Sequence, residues 1–116
     1  MRPDPKAFAE EWIAAWNAHD LEAILAHYAE PIVFTSANST RFTGDPSGRV
    51  VGKPALRDYW SRALATGRLT FTLRGVFAGP DGIAIRYLSS RTGGEVVEVV
   101  RFGADGLVSE SAAFYE

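Results

Sequence analysis

The 116-residue sequence predicts one α+β domain, spanning 1–116, in which three helices pack against a curved antiparallel sheet around a small apolar pocket. Three observations predict it. Apolar residues recur at three- and four-residue spacing in the first part of the chain. The period changes to two from Leu69 onward, and short glycine-containing turns separate the runs that follow. Helices first and a meander of strands afterwards place the helices on one face of the sheet.

Asp4-Pro5 opens the first helix, with aspartate as N-cap and proline at the first helical position. Phe8, Trp12, Ala15, Trp16 and His19 share one face of it. Asp20 caps a second, shorter helix whose apolar face is Leu21, Ile24, Leu25 and Tyr28. Pro31 is expected to stop it, because proline disfavours helix at the residue before it. Ile32-Val33-Phe34-Thr35 reads as a short β-branched strand. Residues 36–52 read as a long loop, rich in the turn formers of Ser36-Ala37-Asn38-Ser39-Thr40 and Gly44-Asp45-Pro46-Ser47-Gly48. A loop of that length is a functional, mobile segment or a solvated connector. The third helix starts near Pro54, buries Leu56, Trp60, Ala63 and Leu64, and takes Gly67 as C-cap. Four strands follow: Leu69 to Phe77, Ile83 to Arg91, Glu95 to Phe102 and Leu107 to Tyr115.

Turn lengths predict the register. A two-residue turn at Gly93-Gly94 sets Thr92 opposite Glu95, Glu98 opposite Ser89 and Val100 opposite Tyr87. A four-residue last turn sets Phe102 opposite Leu107 and Ser111 opposite Glu98. One sheet face then carries Ile85, Tyr87, Ser89, Arg91, Val96, Glu98, Val100, Phe102, Ser111, Ala113 and Tyr115. The other carries Arg86, Leu88, Val97, Val99, Arg101, Val108, Glu110 and Phe114, a mix of apolar residues and charges suited to a partner chain. The first face sets one carboxylate, Glu98, in an aromatic and aliphatic wall.

Composition narrows the function classes. Cysteine is absent, which excludes disulfides and thiolate metal sites and fits a reducing compartment. The net charge is −2 with no basic cluster, so nucleic acid is not an expected partner. No apolar run approaches a membrane span, and Met1-Arg2-Pro3-Asp4-Pro5 lacks the apolar core of a secretory leader; the cytoplasm is the expected location. Without such a leader the sequon Asn38-Ser39-Thr40 is discounted. His19 and His27 form no metal-ligand spacing, and the glycines fall in turns, so neither a metal nor a cofactor is expected.

Three segments resemble the nuclear transport factor 2-like superfamily, most closely its SnoaL-like and ketosteroid isomerase-like members. They are Trp12-Ile13-Ala14-Ala15-Trp16-Asn17-Ala18-His19-Asp20-Leu21, Val51-Gly52-Lys53-Pro54-Ala55-Leu56 and Arg101-Phe102-Gly103-Ala104-Asp105-Gly106-Leu107-Val108. The resemblance implies a cone, with the three N-terminal helices packed in a strongly curved sheet, often dimeric through the outer sheet face. It also maps isomerase chemistry onto this chain. Trp12 stands where the oxyanion-donating tyrosine is expected, Ser36 where the general-base aspartate is, and Glu98 where a protonated aspartate on the fourth strand is. One position in three keeps its chemistry, so steroid isomerisation is not expected.

The candidate catalytic residues are Glu98, Tyr87 and His27. Burial raises the pKa of a carboxyl group into the range where it exchanges protons near neutrality, and Tyr87 lies close to it. His27 with Glu98 would imitate the histidine–acid pairs of dehydratases with this fold. The candidate ligand-binding residues are Trp12, Trp16, Tyr28, Phe34, Ser36, Trp60, Phe71, Ser89, Arg91, Ser111 and Tyr115. Two functions fit: a cofactor-free enzyme performing proton transfer, cyclisation or hydration on a small apolar molecule, or a non-catalytic binding or association module of the same shape.

Overall fold

A computed structural model describes residues 2–116; Met1, the first residue of the segment read above for a leader, lies outside them. Helix α1 (Pro5–Asn17) begins where the Asp4 carboxylate accepts the Ala7 N–H at 2.9 Å. It ends before His19, which adopts a left-handed φ of 55°. Asn17 continues the work of the helix end by bonding both backbone groups of Phe71, so α1 is tied to the edge of the sheet. Helix α2 (Leu21–Leu25) is capped by Asp20, whose carboxylate accepts the Ala23 N–H at 3.1 Å.

The periodicity overextends α2. Tyr28 does not end that helix but opens strand β1 (Tyr28–Ser36), and Pro31 lies inside the strand rather than stopping the helix. The pairing of β1 shifts register between Tyr28 and Val33. Such an irregularity tolerates a residue with no N–H.

The expected 36–52 loop holds more order than its composition suggests. It contains a 3₁₀ turn (Ala37–Ser39), a helical turn α3 (Thr40–Thr43) and strand β2 (Arg49–Val51), which pairs antiparallel with β1. The buried Ser39 hydroxyl reaches the carbonyls of Ser36 at 2.8 Å and Gly48 at 2.5 Å, and so pins both ends of the excursion. Gly48 has φ +70°, and a Cβ there would lie 2.3 Å from the Ser36 carbonyl oxygen; only glycine brings the turn this close.

Helix α4 (Lys53–Ala65) follows, with Gly67 just beyond Thr66 in a positive-φ conformation. Strands β3 (Phe71–Ala78), β4 (Gly82–Ser89), β5 (Glu95–Phe102) and β6 (Val108–Tyr115) form the antiparallel meander. The six-stranded sheet runs β2-β1-β6-β5-β4-β3. Its β1–β6 pair is parallel, an exception to the antiparallel rule that no turn in the sequence could reveal.

Both predicted hairpin registers are slipped by an even number of residues. Glu95 pairs with Leu88 rather than Thr92, Glu98 with Ile85 rather than Ser89, and Val100 with Ile83 rather than Tyr87. The turn is longer than Gly93-Gly94, because Ser89 N–H bonds the Gly94 carbonyl and Gly93 N–H bonds the Ser89 carbonyl. Arg91 is therefore a turn residue. Across the last hairpin, Glu98 pairs with Ala113 rather than Ser111, and Phe102 with Val108 rather than Leu107. An even slip leaves each side chain on its predicted face. One residue escapes this rule. A bulge between Arg101 and Phe102 inserts Ser109 and turns Val108 from the outer face into the core, where it is fully buried.

The core lies between the helices and the inner sheet face. It is an aromatic mosaic: Trp16 packs edge-on to Trp60 at 5.0 Å and to Trp12 at 6.0 Å, and Phe71 meets Tyr87 at 4.3 Å between ring centroids. Each such pair adds about 0.5–1.5 kcal/mol beyond area burial.

Candidate functional site

The aromatic mosaic does not close completely. A cavity of about 340 Å³ remains between α1, α4 and the inner face of the sheet. Helix α1 contributes Trp12 and Trp16, one turn apart on its buried face. Helix α4 contributes Tyr59, Trp60 and Ala63, and the sheet contributes Phe34, Phe71, Tyr87, Ser89, Val96, Glu98 and Tyr115. Asn38, Arg41, Thr66, Leu69, Arg91 and Thr92 complete the wall.

Glu98 is the polar group at depth, only 3% exposed. Tyr87 OH donates to Oε1 and Ser111 Oγ to Oε2, each at 3.2 Å. No Lys, Arg or His forms an ion pair with it among the described residues. Burial therefore decides its charge: desolvation pushes its pKa up to about 7, and the two hydroxyl donors only partly oppose the rise. Tyr87 is raised well above the usual phenol value, first by burial and then by the nearby Glu98. Tyr59 is pushed up to about 12, chiefly by burial.

The sequence-predicted residues divide into three groups. Glu98, Tyr87, Trp12, Trp16, Phe34, Trp60, Phe71, Ser89, Arg91 and Tyr115 all line the cavity. Tyr28, Ser36 and Ser111 lie behind the wall and hold it. Tyr28 OH accepts the Trp12 Nε1–H at 2.9 Å, Ser36 Oγ bonds Tyr115 OH at 2.9 Å, and Ser111 holds Glu98. His27 stands apart from the cavity wall. Its ring meets the edge of Phe8 at 4.9 Å, and burial lowers its pKa while Glu11 raises it. His27 and Glu98 share no hydrogen bond among the described residues, so the geometry does not assemble the expected histidine–acid pair.

The candidate list missed Asn38, Arg41, Tyr59, Thr66 and Thr92, and also Ala63, Leu69 and Val96, which it had read as apolar face or strand residues. Tyr59 carried a readable signal, since Leu56, Tyr59 and Ala63 fall at three- and four-residue spacing. Asn38, Arg41 and Thr92 come from segments with no periodicity to read.

The arrangement combines a largely aromatic wall, a carboxyl group raised toward neutrality, and hydroxyl donors around it. Trp16 Nε1 adds a further feature. It is the one buried side-chain nitrogen or oxygen without a hydrogen-bond partner among the described residues. No helix among the described residues is long and apolar enough to cross a membrane.

Comparison with solved structures gives the same frame. A SnoaL-like protein of unknown function from Burkholderia thailandensis is 39% identical, with a TM-score of 0.92 over 97% of this chain and 99% of that one. Rv0760c from Mycobacterium tuberculosis is 26% identical, with a TM-score of 0.77 over 97% and 95% of the two chains. It has also been solved in complex with estradiol-17β-hemisuccinate. TerC, co-crystallised with polyporic acid, is 14% identical with a TM-score of 0.76 over 97% and 92%; at that identity the likeness is one of fold. No curated protein matches the sequence significantly. The model of the SnoaL-like domain matches residues 9–111, which take in every helix and strand but the first four residues of α1 and the last four of β6. The chain belongs to the SnoaL-like domain family, within the nuclear transport factor 2-like superfamily.

Proposed function

We propose that this protein binds a small, mainly apolar molecule in the aromatic cavity, with Glu98 as the acid that donates a hydrogen bond or a proton to it. The observation that carries this reading is a buried carboxyl group with no cationic partner, bordering a cavity of about 340 Å³. That volume is at the small end of the range of roughly 300–1,000 Å³ for ligand pockets. The complexes of the mycobacterial protein and TerC with small molecules support the same use of the fold. The unpartnered Trp16 N–H supports it further, because a buried donor gains free energy from any acceptor brought to it.

In the catalytic form of this reading, Glu98 moves the proton in an isomerisation, cyclisation or hydration, and Tyr87 holds it in place. A second reading, binding without chemistry, is favoured by the fate of two positions. Trp12 Nε1–H is committed to Tyr28, and Ser36 is bonded to Tyr115, so neither stands ready as oxyanion donor or base. The Glu98→Gln variant separates the two. It would retain binding and lose turnover in the first case, and would change only affinity in the second.

The binding itself is tested with the neutral fluorophore 1-pyrenebutanamide, read by energy transfer from Trp12, Trp16 and Trp60 in the wall. Saturable one-to-one transfer is expected. Ala63→Phe, which fills the cavity from α4, should abolish it while circular dichroism and melting show a folded protein. Transfer that persists in Ala63→Phe would reject the cavity as the site.

We also propose that two copies associate through the outer sheet face. Phe114 is 60% exposed there, and the half-buried Val97, Val99 and Ala112 surround it. Two arginines on this face are paired within the chain, Arg86 with Glu95 at 3.0 Å and Arg101 with Asp81 at 2.8 Å, while the exposed Glu110 forms no ion pair among the described residues. A two-fold axis sets a patch against itself, and an apolar centre whose flanking arginines are already paired suits such a contact.

A further inference from the structure

We infer that the mouth of the cavity holds an anionic group, so that the molecule it takes is apolar along its body and carries a carboxylate at the end facing solvent. The inference rests on the pocket proposed above and narrows its ligand class.

Two arginines line the cavity, Arg41 from α3 and Arg91 from the turn after β4, and both are exposed. Neither forms an ion pair with a carboxylate among the described residues. Arg57, Arg62, Arg74, Arg86 and Arg101 are matched by carboxylates within the chain. Arg2, Arg49 and Arg68 form no ion pair among the described residues either, but they lie outside the cavity wall, which Arg41 and Arg91 share. The chain as a whole is acidic, at −2, so two unmatched guanidinium groups beside one cavity make a local field of opposite sign.

Arg91 is already positioned. Its Nη2 donates to the Ala63 carbonyl at 2.6 Å and lies 3.0 Å from Thr66 Oγ1, which anchors the group against the end of α4. Both contacts fall on one nitrogen. Nη1 and Nε keep hydrogens with no acceptor among the described residues, and a guanidinium presents such hydrogens as a planar fork that matches a carboxylate. An anchored fork loses little conformational entropy on binding. The deep end of the cavity has the opposite character. Glu98 is the one acidic residue in the wall, and a second anion placed beside it would be repelled as well as stripped of water. The two ends therefore orient a ligand: neutral acceptor inward to Glu98 and Tyr87, acid outward to Arg41 and Arg91.

The test compares 1-pyrenebutyrate with 1-pyrenebutanamide, molecules of the same shape that differ in charge, by the same tryptophan energy transfer. In the unaltered protein at low salt the acid should bind about five- to tenfold more tightly than the amide, the scale of two partly exposed ion pairs. The ratio should shrink as salt is added. It should fall toward one in the Arg41→Gln/Arg91→Gln protein, and partway in Arg41→Gln alone, which breaks no hydrogen bond of the fold and keeps the test valid if the double variant fails to fold. A ratio near one in the unaltered protein, or a ratio the variants do not move, overturns the anionic mouth and leaves the apolar cavity standing. Saturable transfer from neither probe overturns the cavity reading and the mouth with it.

Discussion

Glu98 links the site to stability. Its folded pKa of about 7 lies above the value of 4.5 for an unperturbed glutamate, so the native state holds a proton that the unfolded chain releases. Stability is therefore full below about pH 4.5, falls as pH rises toward 7 and levels off above it. The total loss is on the order of 3 kcal/mol. Glu98→Gln carries no such proton. Its stability should stay flat from pH 5 to 8 and match or exceed the unaltered protein at pH 8, measured by urea denaturation across that range. An unaltered protein that gains stability with pH would show a paired, ionised carboxylate instead. Arg91 does not supply that pairing, since its guanidinium turns to Ala63 and Thr66. That Glu98 faces inward was legible from strand alternation alone, because the register errors in both hairpins are even and parity survives them. That His27 faces elsewhere was not legible: its placement depends on where β1 begins, which the helical spacing of Leu21, Ile24, Leu25 and Tyr28 conceals.

The 36–52 segment sets the precision of the mouth at the level of elements. Its turn formers predicted a mobile loop, yet Ser39 ties Ser36 to Gly48 and β2 pairs with β1. Two outcomes follow from that bracing. Gly48→Ala must place a Cβ against the Ser36 carbonyl at a positive φ, and should lower stability by about 1–3 kcal/mol in chemical denaturation. Amide exchange should be fast across residues 43–47, all exposed but the half-buried Asp45, and slow at the pinned end, where the Ser36 N–H bonds the Gly48 carbonyl at 2.9 Å. Uniformly fast exchange at both would show that the brace does not hold. The hydrophobic code could not announce this element, because short pieces held by one buried hydroxyl show neither the period of a helix nor that of a strand. Arg41 was hidden with it. The bulge at Ser109 was hidden for a related reason: an inserted residue breaks the alternation on which strand faces are read, and so Val108 was assigned outward.

The whole molecule presents an apolar centre on its outer sheet face, with Phe114 as the most exposed member. Sedimentation at tens of micromolar, a range set by ordinary interface affinities, should show a dimer. Phe114→Asp should give a folded monomer, since it sets two carboxylates against each other across the axis. A monomer for the unaltered protein would remove the proposed interface. The meander was legible as a whole because each of its turns carries its own glycine signal.

The parallel seam between β1 and β6 also shapes how the protein folds. It pairs Phe34 with Ser111 and Ser36 with Ala113, residues far apart in the sequence, whereas every other strand pair joins neighbours in sequence. Local hairpins form in microseconds, but a seam of this span must first meet the entropy of closing most of the chain into a loop. Its formation is expected to be the slow step, with the meander assembled beforehand. Val50→Ala, on the strand added outside the seam, should then speed unfolding with little change in the refolding arm of a chevron plot, whereas Ala113→Gly in the seam itself should slow refolding. Until the seam closes, the aromatic wall lacks β1 and its Phe34, so a ligand that needs the finished cavity acts as a brake on unfolding and leaves the rate of folding unchanged.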